Sequence, residues 1–423
     1  MINIVEGFSG IGAQTAALKK ANIDHQVLNT IEWEIGALYA YDILHNGPQD
    51  IKMYRHHTKD SLVEKVSKLN ISNDGKEVMT YRAVNGMSMK QLKSILYAVE
   101  RSNNLIDIQT VTAESLPDDI DLFTYSFPCQ DLSVSSHWWN NEKGINKDSG
   151  GQSSLLWEVE RIFYEYKEGN KPFPKVLLME NVSAILSARH IENFTIWTDF
   201  LNEIGYYNQV YNLNASHFSV PQNRERTYMI SIFTGGNEEL ENSLDAYFME
   251  NNLEHINNIH ESQQRLGKYL RLDYSIDKYK QEAILSTPQN TPSRRKIYND
   301  NIKLAYDDKV VPGEIARTIT TKQDRNPNSG IIVYENQKLI PGRDYRNITP
   351  REAFLLMGYS EDDFDLLLEN NFEIQKNRMM LADSKLLKLA GNSIVVDVLS
   401  EIFLQIEDIK DKIFSKTMIT NNI

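Results

Sequence analysis

Cysteine is almost absent, with Cys129 the only one in 423 residues. That scarcity excludes an intramolecular disulfide and any cysteine-rich zinc site, and no metal centre is expected. Long hydrophobic runs are missing as well. No segment reads as the roughly 20 apolar residues of a membrane span, and "MINIVEGFSG" lacks the basic start and long apolar core of a signal peptide. The composition therefore predicts a cytoplasmic protein with no membrane partner. Positive charge is also short, with 45 Lys+Arg against 58 Asp+Glu and a formal net charge of -13. Such a balance argues at first against nucleic acid, whose phosphates need cationic partners. The deficit is uneven: residues 262–351 hold 17 Lys+Arg and 10 Asp+Glu, so they carry +7 and the remainder -20. A basic segment inside an acidic chain reads either as a polyanion-binding surface or as a solvated, loop-rich face.

What is present is ordinary for a globular chain, with 41% hydrophobic and 24% charged residues. Its length exceeds what one core usually supports, which predicts a large domain and a smaller one. Short apolar runs of strand type, "INIV", "DLFTYSF", "KVLLM" and "TYMISIF", alternate with helix-like stretches such as "GAQTAALKKA" and "LLWEVERIFYEY". That alternation predicts an α/β fold with a doubly wound, mostly parallel sheet, whose ligands lie beyond the carboxyl ends of the strands. The first domain is expected over 1–235, with an insertion at about 45–105 and completion by a C-terminal helix over about 384–423. Residues 236–383, rich in Asn, Asp and breakers such as "STPQNTPSRRK", read as a second, irregular domain. No internal repeat is apparent.

Five places could carry chemistry. "IVEGFSGIGAQTAAL" (4–18) is a strand, a turn at Gly10 and Gly12, and a helix, but Thr15 stands where a dinucleotide fingerprint wants a third glycine. Alone it serves equally as a structural turn. Glu32-Trp33 ends the next strand, where an acid can accept ribose hydroxyls and an indole can stack on a purine; as readily, they are a helix N-terminal acid and a core aromatic. Cys129 follows "DLFTYSFP" at a strand's carboxyl end and reads as a nucleophile or as a packed core thiol, before a loop (131–154) with glycines 144, 150 and 151 that reads as a lid or as a surface excursion. Glu180-Asn181 closes "KVLLMEN", and Gln222, Arg224 and Arg226 alternate at a strand entrance, either to grip a ligand or as a salt-bridge ladder.

With these residues in this order, the chain resembles the DNA cytosine-5 methyltransferases. "FSGIG" (8–12) is similar to that family's S-adenosylmethionine turn, "EW" (32–33) to its ribose and adenine contacts, "FPCQ" (127–130) to its nucleophile motif and "ENV" (180–182) to its acid motif. "QNRER" (222–226) resembles its paired arginines, and "ARTITT" (316–321) and "GNSIVV" (391–396) its late motifs. The resemblance implies the S-adenosylmethionine-dependent methyltransferase fold. It also implies that Cys129 adds to C6 of a cytosine, Glu180 holds the proton at N3, Asn181 fixes the local turn, Arg226 binds O2 and Arg224 supports it. The methyl group would then pass to C5 from S-adenosylmethionine. Its implied contacts are Phe8, Gly10, Ile11, Gly12, Glu32, Trp33, Asp107, Pro128, Leu155 and Asn392.

The target carbon is inaccessible in a stacked duplex, so the base must flip out at a cost of roughly a few kcal/mol. The stretch 236–314 occupies the family's target-recognition position. Implied contacts to double-stranded DNA are Ser133, Ser135, Arg265, Lys268, Arg271, Arg294, Arg295, Lys296 and Arg317. A monomer acting beside a restriction endonuclease, without a stable complex, is the expected arrangement. Ser126 departs from the family's usual Gly, and Asp131-Leu132 from its usual small and aromatic pair. A tRNA cytosine-5 methyltransferase would need a second cysteine in a "CFT" motif, and a catalytically dead regulator would have lost Cys129 or Glu180. A nicotinamide dehydrogenase is disfavoured by the missing glycine and would have no use for "FPCQ".

Overall fold

A computed structural model describes residues 1–128, 152–325, 328–336 and 338–414. Cys129, Ser133, Ser135 and all but the end of the 131–154 loop lie outside the described residues. The chain divides into two compact units: residues 1–213, 225–255 and 399–423, and residues 214–224 and 256–398.

The first unit is built on strands β1 (Ile2–Gly7), β2 (His25–Ile31), β3 (Leu122–Tyr125), β4 (Val176–Val182), β5 (Tyr206–Asn214) and β7 (Glu225–Phe233), in the order β2-β1-β3-β4-β7-β5; the short β6 (Gln222–Asn223) belongs to the second unit. β2, β1, β3 and β4 run parallel, and β7 is antiparallel to β4. Side chains alternate across a strand, so each one feeds two faces. Val5, Phe123, Tyr125, Leu177 and Met179 face one core with α6 (Leu156–Glu168) and α7 (Ile191–Glu203). In that core the Trp197 indole N–H donates to the Tyr125 hydroxyl at 3.1 Å. The alternate residues Ile4, Leu122 and Leu178 are equally buried. On their face, Glu6 accepts from Thr15 of α1 (Ala13–Lys20), and Ser400 of α15 (Val396–Ile409) donates to the α1 carbonyl of Ala17. Helices on both faces of a mostly parallel sheet make it doubly wound, as the alternation predicts.

The 45–105 stretch folds as α3 (Lys59–Ser67), α4 (Tyr81–Asn85) and α5 (Met89–Arg101), following α2 (Ile35–Asn46). Arg101 anchors it to α2 through two bonds to the buried Asp42 carboxylate, at 2.6 and 2.8 Å.

The domain boundaries shift from the expected ones. Helix α8 (Glu238–Glu250) sides with the first unit, because Tyr247 donates to Asp408 at 2.6 Å and Tyr207 to Asp245 at 2.8 Å. The C-terminal contribution to that unit begins at 399 rather than 384. One helical stretch, Asp383–Phe414, does have the length and apolarity of a membrane span, contrary to the composition reading, but 72% of its most apolar window is buried inside the protein.

The second unit is less irregular than expected. It holds α9 (Ile259–Tyr269), α10 (Asp277–Leu285), α11 (Pro292–Asp300), α12 (Pro350–Leu356), α13 (Glu361–Asn370) and α14 (Asp383–Asn392), beside a small sheet of β8 (Lys303–Tyr306), β9 (Lys309–Val310), β11 (Ile331–Val333) and β12 (Tyr345–Asn347). A separate two-residue strand, β10 (Ala316–Arg317), pairs with β6. The apparent breakers are caps. Thr291 accepts from the Arg294 amide with Pro292 in the first turn, and Thr349 and Glu352 form a reciprocal capping box. Glu352 also takes both terminal nitrogens of Arg346 at 2.7 Å, with both side chains fully buried.

Candidate active site

In a parallel sheet every strand delivers its last residue to the same edge. Phe8 follows β1, Glu32 follows β2, Ser126 to Pro128 follow β3, and Glu180-Asn181 lie near the end of β4. β7 runs the other way, so its first residues reach that edge too, and Arg226 pairs in register with Val182. Residues scattered from 8 to 226 in the chain thus meet along one edge of the first unit.

The β1–α1 turn is tight. Phe8, Gly10 and Gly12 all have positive φ, at 55°, 55° and 74°. A Cβ on Gly12 would lie 2.3 Å from His45 Nε2, so glycine is required there; one on Gly10 meets nothing within 4 Å, which leaves open space over the turn. Ser9 is buried, and its hydroxyl has no partner among the described residues. Glu32 closes the turn by accepting from the amides of Gly10 (3.0 Å), Trp33 (2.9 Å) and Glu34 (2.8 Å). Glu34, not Glu32, caps α2, through the amides of Gly36 and Ala37. The helix-capping alternative for Glu32 therefore falls away. Burial pushes the Glu32 carboxyl up to about 7, against the pull of those amides. Trp33 is half-buried rather than a core aromatic. Asp107, Pro128 and Leu155 are also half-buried, and Leu155 packs on the core.

At the far part of the edge, Arg226 Nε lies 3.5 Å from Glu180 Oε1, and both side chains are mostly buried. Arg226 also donates to the Glu225 carbonyl at 2.7 Å. Asn181 donates from Nδ2 to the Phe127 carbonyl at 3.1 Å, and its Oδ1 accepts from the Val182 amide at 2.8 Å. The backbone two residues before Cys129 is thereby tied to the residue next to Glu180. An acid, a cation against it and a held peptide at one edge can bind and protonate a flat polar heterocycle.

Arg224 is not part of this group. The strand is interrupted at that residue, and its guanidinium, in the second unit, donates to the carbonyls of Ile319, Gly391 and Ser393 at 3.0, 3.1 and 2.7 Å. Gln222 likewise bonds the Leu356 carbonyl and the Ile319 amide. A Cβ on Gly391 would lie 2.5 Å from the Thr321 amide nitrogen. These side chains clamp "ARTITT" against the "GNSIVV" segment, so the expected catalytic support from Arg224 becomes a backbone clamp. Period two alone could not tell this, because the break in the strand sends the two arginines into different units. Asn392 ends α14 in the second unit.

The candidate DNA-contacting cations divide in two. Arg294 is paired with Asp324 at 2.6 Å, Arg295 with Asp344 at 2.9 Å and Arg265 with Glu261 at 3.2 Å, while Arg271 is bound to Glu361. Lys268, Lys296 and Arg317 are exposed and have no carboxylate partner among the described residues. Counting charge over 262–351 therefore overstates what is free to meet phosphate. Among the described residues no cluster could hold a metal ion.

The family model "C-5 cytosine-specific DNA methylase" matches residues 80–408. The chain is 32% identical over 414 residues to the type II methyltransferase M2.ScrFI of Lactococcus lactis subsp. cremoris, an alignment covering 96% of this chain and 99% of that one. It is 29% identical over 405 residues to the orphan methyltransferase M.SssI of Spiroplasma monobiae, covering 95% and 96%. Among solved structures, the S. pombe Dnmt2 methyltransferase superposes with a TM-score of 0.57 at 18% identity, over 97% of this chain and all of that one, which supports the fold.

Proposed function

We propose a residue-level mechanism for a chain that belongs to the C-5 cytosine-specific DNA methylase family and is a sequence-specific DNA cytosine-5 methyltransferase. The observation that carries it is the meeting of Glu180, Arg226 and the Phe127 peptide at one sheet edge. Cytosine C5 is a poor nucleophile until something adds to C6. The Cys129 thiolate forms the S–C6 bond, and the displaced ring electrons are accepted as Glu180 holds a proton on N3, which leaves C5 enamine-like. Arg226 keeps Glu180 in place and offers its remaining N–H groups to O2. S-adenosylmethionine, when bound, supplies an electrophilic methyl group to C5. A base then takes the C5 proton, the C5–H electron pair re-forms the C5=C6 double bond, and the S–C6 pair leaves with the Cys129 thiolate.

The residues at the β1 and β2 ends fit that methyl donor. The space over Gly10 admits a ligand against backbone, and Glu32 Oε2 accepts only the Gly10 amide among the described residues. Phe8, Ile11, Trp33, Asp107, Pro128 and Leu155 would line the same site. Lys296 and Arg317 are the cations we assign to DNA, with Ser133 and Ser135 on the segment after Cys129. The protein acts as a monomer in the cytoplasm, beside a restriction endonuclease rather than in a complex with it.

Bisulfite sequencing of DNA from a host expressing the protein should reveal new 5-methylcytosine in one short sequence context. Unchanged cytosine throughout would refute the activity. A second expectation concerns pH. Glu32 is raised to about 7, so it is largely neutral at pH 6 and largely a carboxylate at pH 8, and the carboxylate is the stronger acceptor. Affinity for S-adenosylmethionine should therefore rise about fivefold between those pH values, half a log unit or more of a one-proton dependence. Glu6, buried beneath the turn and also pushed to about 7, titrates in the same window, and Glu34 lies beside Glu32. Glu32→Gln isolates the effect: calorimetry on that variant should give a flat profile, and an undiminished slope would assign the titration elsewhere.

A further inference from the structure

The 45–105 segment touches the turns of the methyl-donor site at three points. His45, at its start, meets the Ile11 carbonyl through Nε2 at 2.9 Å, between the two left-handed glycines. Burial, with the Lys19 cation nearby, pushes the imidazole down to about 3, so the ring is neutral; with Nε2 as the donor, Nδ1 is left as the acceptor facing Lys19 Nζ at 3.5 Å. Ser72, at its middle, pairs through its backbone with both sides of Glu34: its amide donates to the Trp33 carbonyl at 2.7 Å, and its carbonyl accepts from the Ile35 amide at 2.9 Å. Ser72 is fully buried, and its hydroxyl ties off its own loop by donating to the Glu77 carbonyl and accepting from the Gly75 amide.

The third point is the most informative. Asn104 Oδ1 accepts two backbone amides, that of Glu32 at 3.2 Å and that of Ile106 at 2.7 Å. Ile106 has φ of 65°, and among the described residues it is the only β-branched one with positive φ. Such a conformation is disfavoured by the branched Cβ and persists only where the surroundings impose it. Here the imposing contacts are the Asn104 oxygen, the Leu105 amide bonded to the Thr30 carbonyl at 2.9 Å, and burial of the Ile106 side chain. The next residue is Asp107. One side-chain oxygen thus joins the peptide of Glu32 to the strained peptide that presents Asp107.

We propose that the 45–105 segment is a brace for the methyl-donor site and that Asn104 is its positioning residue, setting Glu32 and Asp107 relative to one another through Oδ1. The proposal rests on the reading that S-adenosylmethionine lies against the Phe8–Gly12 and Glu32–Trp33 turns. A packing role for Asn104 would lower thermal stability and leave cofactor affinity alone. A positioning role lowers cofactor affinity as well.

The test is calorimetric binding of S-adenosylmethionine to the full chain, with kinetics at saturating DNA. Asn104→Ala leaves both amides without that acceptor and lets Ile106 relax to negative φ. The cofactor Kd and KM should rise about tenfold, the size of effect expected from two lost buried hydrogen bonds in one place. The kcat at saturating cofactor should stay within about twofold, since no group that touches the base is altered. Asn104→Asp keeps an acceptor oxygen at the same position and should bind at least about threefold tighter than Asn104→Ala. Amide exchange at Glu32 and Ile106 should quicken in Asn104→Ala alone. Wild-type affinity in Asn104→Ala, or an Asp variant as weak as the Ala one, overturns the proposal. Glu32→Ala separates the two levels: if it also binds as wild type, the methyl-donor reading fails, and if it alone is weakened, only the brace fails.

Discussion

Cys129→Ala should lose methyl transfer by about ten-thousand-fold or more, the scale on which a covalent nucleophile is missed, with DNA affinity kept within about threefold. The size follows from the chemistry of the ring. Without addition at C6 there is no electron-rich C5, and no other thiol exists in the chain to substitute, because Cys129 is the only cysteine. Serine in its place would not rescue the reaction, since a hydroxyl is essentially never ionised at neutral pH and Glu180 serves N3 rather than the nucleophile. A covalent test is sharper than a rate. DNA carrying 5-fluorocytosine at the target position cannot lose a C5 proton, so the S–C6 bond should persist and yield a protein–DNA adduct that survives denaturing electrophoresis. Cys129→Ala should give none. An adduct in that variant, or turnover near wild type, would move the nucleophile elsewhere.

The second large effect is expected at Glu180. Glu180→Gln keeps the shape and a hydrogen-bond donor but cannot deliver a proton, so kcat should fall by about 10²- to 10³-fold, the usual contribution of a positioned general acid. Substrate affinity should change little, because the amide still satisfies N3. Arg226 shares the site, with its Nε 3.5 Å from Glu180 Oε1. Arg226→Ala should cost a similar factor, and the double variant less than the product of the two, since each acts partly through the other. Fully multiplicative losses would show that the pair does not work as a unit. Wild-type kcat in Glu180→Gln would remove Glu180 from the proton step.

Much of this site was legible in the chain. Glu32, Glu180 and the glycine turn each follow or end an apolar run of strand length and Arg226 opens one, and parallel strands gather their ends, with the start of an antiparallel neighbour, at one edge whatever the spacing between them. The partner assignments were not legible. Arg224 and Arg226 are two residues apart and chemically identical, yet one clamps Ile319, Gly391 and Ser393 while the other faces Glu180. The breakers in "STPQNTPSRRK" turned out to cap a helix, because Thr and Pro terminate one element by starting another. The excess of basic residues in 262–351 was a true count, but Arg294 and Arg295 are paired with Asp324 and Asp344 inside that stretch and Arg271 with Glu361 beyond it.

By itself the sequence determined the fold class, the sheet-edge position of Glu32, Glu180 and Arg226 and the family, since these depend on local patterning and on the order of short motifs along the chain. Only the tertiary structure decided which side chains act on one another. It made Glu34 rather than Glu32 the helix cap, turned Arg224 into a clamp, and joined Asn104 to Glu32 across 72 residues and to the strained Ile106. Hydrogen bonds and ion pairs act over a few ångströms in space, and distance along the chain carries almost no information about them.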